Sequence, residues 1–295
     1  MVSRVSLYRA PTTVADAGAI ADWLRARVDA EVDVRDRFLD RLRDDSGDPG
    51  AGGGPGDSAG SDDFGGPADA DDSGDSGSSD EDLAEAFAAA RVRSPYDRET
   101  GNEMLGVVRY ERRALERPER AGGVVYGGLR VQRALRERLP AGERGLDHLH
   151  VALVDRVLGT WGDHDGRWHK RVSVLGQPAL LSVPGLYEAP AKPEAYYREK
   201  QRHAMRSGDA PPREVLESEV EGEFLVADDP RTTGALEGYA LQAVHYADTG
   251  EAFCDDERCR LYNAHRQGEL VRAQLRPPAF CPAHERRYGT DASEG

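Results

Sequence analysis

The chain has 295 residues, and 39 Lys and Arg against 54 Asp and Glu leave a formal charge of −15. The stretch from Asp44 to Asp82 holds twelve Asp, one Glu and no Lys or Arg, so it carries −13 and the remaining 256 residues are near neutral at −2. This excludes a uniformly acidic surface and a basic nucleic-acid-binding domain of the kind a clustered Lys/Arg footprint announces.

The predicted elements begin with a strand over Ser3 to Ala10, where Val5 and Leu7 alternate onto one face. Thr12 or Thr13 can cap a helix through Ala17, Ile20, Trp23 and Leu24, and Ala30 to Phe38 alternates again, giving a β-α-β opening. Asp44 to Asp82 has too few apolar groups to offset the entropy of ordering it, so a disordered acidic Gly/Ser/Asp insertion is expected at 44–82. A short helix over Leu83 to Ala90 and an apolar strand over Met104 to Tyr110 follow. Gly127 and Gly128 lead into a helix with Leu129, Val131, Leu135 and Leu139 at helical spacing until Pro140.

His148 to Leu158 reads as one strong strand, with further strands over Arg171 to Leu175 and Ala179 to Val183 and a turn at Asp165-Gly166. Pro193 starts a helix through Tyr196 and Tyr197, and a long helix runs from Thr233 to near Gly250. Ala264 to Leu275 reads as a short helix. Mixed strands and helices make the class α/β, with α+β as its neighbour. No stretch approaches the roughly 18 apolar residues of a membrane span, and Met1-Val-Ser-Arg lacks the layout of a signal peptide. A cytoplasmic protein with no membrane or nucleic-acid partner is expected.

All three cysteines fall near the C-terminus, in the pattern Cys254-x4-Cys259-x21-Cys281-x2-His284. Thiolates gathered in this way suggest metal binding before disulfides. Two short pairs on separate loops suit the four-coordinate preference of zinc for thiolate and imidazole, and four protein ligands leave no open position for water. The expectation is a structural Cys3His zinc site with Cys254, Cys259, Cys281 and His284 as ligands.

With Gly250 four residues before Cys254, this frame resembles the archaemetzincins, the archaeal branch of the metzincin zinc peptidases, whose pattern HExxHxxGxxHC continues with x4-C and a distal CxxC. His284 stands where that family has its last cysteine. The upstream order from Leu146 to Tyr288 is also similar, through VLGTWGDHDG, the run ALLSVPGLY, the Tyr196-Tyr197 helix and the long helix. The resemblance implies a mixed, twisted sheet with a long helix and a C-terminal zinc knot. With the pattern and composition read above, the expected division is a β-α-β part over 1–43, the insertion at 44–82, the remainder of the archaemetzincin-like α/β domain over 83–253, the Cys3His segment at 254–288 and a disordered tail at 289–295.

The catalytic part of the pattern is missing. In that register the three zinc-binding histidines fall on Ala243, Ala247 and Phe253, and the general-base glutamate on Val244. What the resemblance implies is therefore a metallopeptidase homologue with a degenerate motif, inactive or altered in activity, with no second, catalytic zinc expected. The alternative is a non-catalytic, zinc-stabilised module that binds a peptide or protein.

Other candidate groups are weaker. His245, on the long helix with Glu237 before it and Glu251 after it, is the one catalytic candidate left there. His148 and His150 share a strand face. The segment Asp163 to His169 reads as a β-turn with Trp168 covering the sheet edge, and also as a place for a ligand. Ala121 to Gly128 is glycine-rich but fits neither dinucleotide nor P-loop fingerprints.

Overall fold

The computed structural model describes residues 1–10, 14–38, 76–102, 104–118 and 122–290, with the side chains of 76–80 left out. The elements in chain order are β1 (Arg4–Tyr8), α1 (Ala17–Arg25), β2 (Glu31–Arg35), α2 (Ser76–Ala90), α3 (Leu105–Glu116), β3 (Val125–Gly127) and α4 (Gly128–Arg136). After a 3-10 turn at Ala141–Glu143 come β4 (His148–Val154), β5 (Val157–Gly162), β6 (Arg167–Arg171), β7 (Ser173–Val174), β8 (Ala179–Ser182) and α5 (Gly185–Glu188). The chain then runs through α6 (Glu194–Ser207), α7 (Arg213–Glu219), α8 (Thr232–Thr249), α9 (Gln267–Leu275) and α10 (Pro282–Tyr288). The class is mixed α/β.

Two sheets organise these elements. The larger has the order β2-β1-β4-β8-β7, parallel except for the short edge strand β7, which runs antiparallel to β8. The smaller has the order β3-β5-β6, with β5 and β6 an antiparallel hairpin. Strand alternation divides the core between two faces. Val5, Leu7, Leu149, Val151, Leu153 and Leu181 point to one side, where they meet Ile20 and Leu24 of α1 and Leu236, Ala240 and Val244 of α8. Tyr8, Ala152 and Leu180 point to the other, against Phe87 of α2, Leu115 of α3 and Leu135 of α4.

Helix α8 is apolar on most of its circumference, as a helix buried between layers must be. It packs on α1, α9, β4 and β8. It ends where Gly250 takes a left-handed φ of 77° and donates its N–H to Tyr246 O at 2.8 Å, which releases the chain toward the cysteines.

Several expectations need correction. The run Met104 to Tyr110 is not a strand but the first half of α3, because Val108, Glu111, Ala114 and Leu115 recur at helical spacing once the window extends past Tyr110. His148 to Leu158 is two strands. The break at Asp155-Arg156 carries the chain from one sheet to the other, and Arg156, 2% exposed, is pinned there by Ser182 Oγ donating to its carbonyl at 2.6 Å and by its own bond to Ala114 O at 3.0 Å. The cap of α1 is Asp16, which accepts from Ala19 N at 3.1 Å, whereas Thr12 and Thr13 lie outside the described residues. Helix α2 begins at Ser76, so the last seven residues of the acidic stretch are helical. The rest of that expected insertion, 44–75, and the tail at 291–295 lie outside the described residues.

Candidate metal centre

The C-terminal segment brings its four donors together from three local structures. Cys254 lies just past α8 in an isolated bridge to Tyr262, and its N–H donates to Leu261 O at 2.9 Å. Cys259 closes the turn between them, donating to Asp256 O at 3.0 Å. Cys281 caps α10, with Pro282 in the first turn, and so sets His284 one turn along the same helix.

The Cys254 and Cys281 sulfurs stand 3.8 Å apart, and His284 Nδ1 lies 3.2 Å from Cys281 Sγ and 3.5 Å from Cys259 Sγ. All four ligand atoms fall within 4.8 Å of one another, a group that could hold a metal ion. None of the cysteines is in a disulfide. The N–H of Asp256 donates to Cys254 Sγ at 3.4 Å, a bond that favours charge on that sulfur.

The thiols are not equivalent. Burial pushes Cys259 up to about 12 and Cys254 up as well. At Cys281 burial also acts upward, but the N–H groups of His284 and Ala283 at the start of α10, with the neighbouring thiols, outweigh it and leave this thiol the most acidic. His284 is lowered by burial and then by Arg287, which keeps its imidazole neutral, the form that ligates. A cation here would have to displace protons from two reluctant thiols, so metal binding is coupled to pH.

The other candidates fall elsewhere. His245 is buried behind His284 and its Nδ1 is engaged by Tyr288 Oη at 2.8 Å, while Glu237 is held by Arg260 at 3.0 Å and Glu251 is exposed. Ala243 and Val244 are core residues, Ala247 and Phe253 are exposed, and none offers a donor.

His148 and His150 do share a face, with stacked rings 4.3 Å apart. With Glu143 they gather three donors. Each donor already has a protein partner: Arg35 holds Glu143 at 2.6 Å, Tyr8 and the Glu143 carbonyl take both nitrogens of His150, and Ser6 meets His148 at 2.9 Å. That is a satisfied polar network with a guanidinium beside it. Trp168 packs edge-on against Trp161 across the β5–β6 hairpin, and His164, Asp165 and His169 converge at its tip. Sequence reasoning missed a fourth group, Glu199, His203 and Glu219, although Glu199 and His203 have the i, i+4 spacing that could have disclosed it.

A mixed α/β fold and a close Cys3His group define what the chain is in structural terms. It belongs to a family of unknown function, DUF7001, whose model matches residues 6–49 and 69–287. No curated protein and no solved structure matches the chain. Among the described residues no helix is long and apolar enough to cross a membrane.

Proposed function

We propose that this chain is an archaemetzincin-like metallopeptidase homologue in which Cys254, Cys259, Cys281 and His284 hold one structural zinc ion and the standard hydrolytic motif is lost. The observation that carries the metal is the size of the donor group. Bonds of about 2.3 Å to sulfur and about 2.0 Å to nitrogen around a tetrahedral ion set S···S edges near 3.8 Å and S···N edges near 3.5 Å. The sulfurs of Cys254 and Cys281 are 3.8 Å apart and Cys259 Sγ is 3.5 Å from His284 Nδ1. Three thiolates and an imidazole favour zinc over hard cations. The order of a mixed sheet, a long helix ending on Gly250 and then the donor group supports the archaemetzincin likeness. Free thiols gathered on one ion support a reducing, cytoplasmic location.

The zinc is structural because four protein ligands close its shell, and the aligned positions Ala243, Val244, Ala247 and Phe253 supply neither ligand nor base. The test is a peptidase assay on protein of measured metal content; chelator-sensitive turnover would overturn the loss of activity. One observation favours a second reading, a module that binds a peptide or protein without cutting it: a cavity of 340 Å³ opens beside Tyr239 and Phe253.

A further inference from the structure

This cavity lies among the end of β6, the edge strand β7, the Tyr239 face of α8 and the segment around Ala264. Apart from Tyr239 its ionisable lining residues are Lys170, Arg171 and His265, and among the described residues no carboxylate lines it.

The two permanent cations differ in their surroundings. Lys170 Nζ donates to Glu188 Oε2 at 2.6 Å, so its charge is answered. Arg171 is partly buried and donates from Nε to Thr160 Oγ1 at 2.7 Å, and its terminal nitrogens have no partner among the described residues. Burial lowers its pKa with no carboxylate to oppose the effect. These terminal nitrogens reach solvent rather than a counter-charge, and their fork of donors matches the two oxygens of a carboxylate. Thr160 fixes the plane of that fork by holding Nε. Around it stands an apolar wall that includes Leu129, Val174, Leu175, Pro190 and Phe253. One unanswered positive charge facing apolar surface suits a singly charged organic anion better than phosphate, which carries nearly two charges and no apolar body.

We infer that this cavity binds an organic carboxylate, with the Arg171 Nη fork on its two oxygens, Thr160 orienting the guanidinium and the apolar wall enclosing the ligand's body. The ligand is a free carboxylic acid or the C-terminal carboxylate of a peptide; the inference rests on the binding reading of the cavity and names the chemistry that reading requires.

The test is calorimetric titration of the full chain, its zinc content measured, with 4-phenylbutyrate, inorganic phosphate, and one apolar pentapeptide as free acid and as amide. Arg171→Gln should weaken carboxylate binding at least about tenfold and Arg171→Lys less, because a lysine keeps the charge and loses the fork. Thr160→Val, which leaves the guanidinium in place, should weaken it several-fold and serves if Arg171→Gln fails to fold. Lys170→Gln should change little. Binding of the free-acid peptide but not its amide upholds both the inference and the peptide-binding module. Binding of 4-phenylbutyrate alone upholds the carboxylate site and removes the peptide reading. The inference is overturned by phosphate binding more tightly than either carboxylate, by unchanged affinity in the Arg171 variants, or by no carboxylate binding at on the order of 10 mM. Zinc content is unaffected by any of these results, so the metal site stands or falls separately.

Discussion

The Tyr288 hydroxyl on α10 meets His245 Nδ1 on α8 at 2.8 Å, and His284, one turn before Tyr288, sets its ring edge-on to the same imidazole with 5.2 Å between centroids. The helix that carries one metal donor and follows another is thus tied to the long central helix by contacts that need no ion. Burial pushes the Tyr288 hydroxyl up to about 12, and His245 is lowered by burial, then by His284 and Arg287, so the phenol donates and a neutral imidazole accepts.

Replacing Tyr288 by Phe leaves a buried imidazole nitrogen without its donor. Stability should fall by about 1–3 kcal/mol in denaturant unfolding, with metal content unchanged. Equal stability in the two proteins would show that this bond does not anchor α10.

Cys281→Ser acts on the proposed metal site instead. Removing the most acidic thiol breaks the donor set, and loss of a bound metal is among the few single changes that cost more than about 3 kcal/mol. Hydrogen exchange should accelerate across α10 and around Cys254 first, since these segments meet at the donor group, while β1 and β4 keep their protection.

What could be read in advance followed from physics that acts locally. The four donors were legible because thiolate and imidazole spacing is a short-range signal, and α8 because apolar periodicity persists from Leu236 to Ala243 and Gly250 stops it. The first half of α3 reads as a strand because Val107, Val108 and Tyr110 are strand formers by composition, and the helical spacing emerges only when Glu111, Ala114 and Leu115 enter the window. The division of His148 to Leu158 depends on a second sheet, which is tertiary information. The Arg171 cavity is illegible in the sequence for the same reason: the absence of a carboxylate near a guanidinium is a property of seven separate segments.

Acid should destabilise the protein through the paired histidines. Burial, opposed by the carbonyl and charge of Glu143 and reinforced by His148 and Arg35, brings His150 down to about 4, and burial also lowers His148. Of the charged groups facing the pair, Glu143 and Asp33 favour its protonation and Arg35 opposes it, and the burial of both rings outweighs the carboxylates. Between the unfolded value of about 6.5 and a folded value near 4 the unfolded chain binds the extra proton, so stability is complete above about pH 6.5 and declines as pH falls toward 4. For His150 the loss is on the order of 3 kcal/mol. Denaturant unfolding from pH 7.5 to 4 should trace this decline, and it should shrink in His150→Gln.

Two glycines should respond oppositely to alanine. A Cβ on Gly238 would collide with the buried Gln274 side chain, whose Nε2 donates to Arg260 O at 3.0 Å, so Gly238→Ala should cost about 1–3 kcal/mol despite its better helix propensity. Gly268, in the first turn of α9, has nothing within 4 Å of that position, and Gly268→Ala should gain up to about 1 kcal/mol. Thermal unfolding of both variants decides whether the α8–α9 contact is as close as described.

The most direct measurement is native mass spectrometry of the chain purified without a metal-affinity tag, with elemental analysis of the metal. One zinc per chain is expected, retained through desalting and lost when Cys259 is replaced by Ser. A well-folded chain free of metal, or zinc retained after both Cys254 and Cys281 are replaced, would contradict the central claim that these four residues close a structural zinc site.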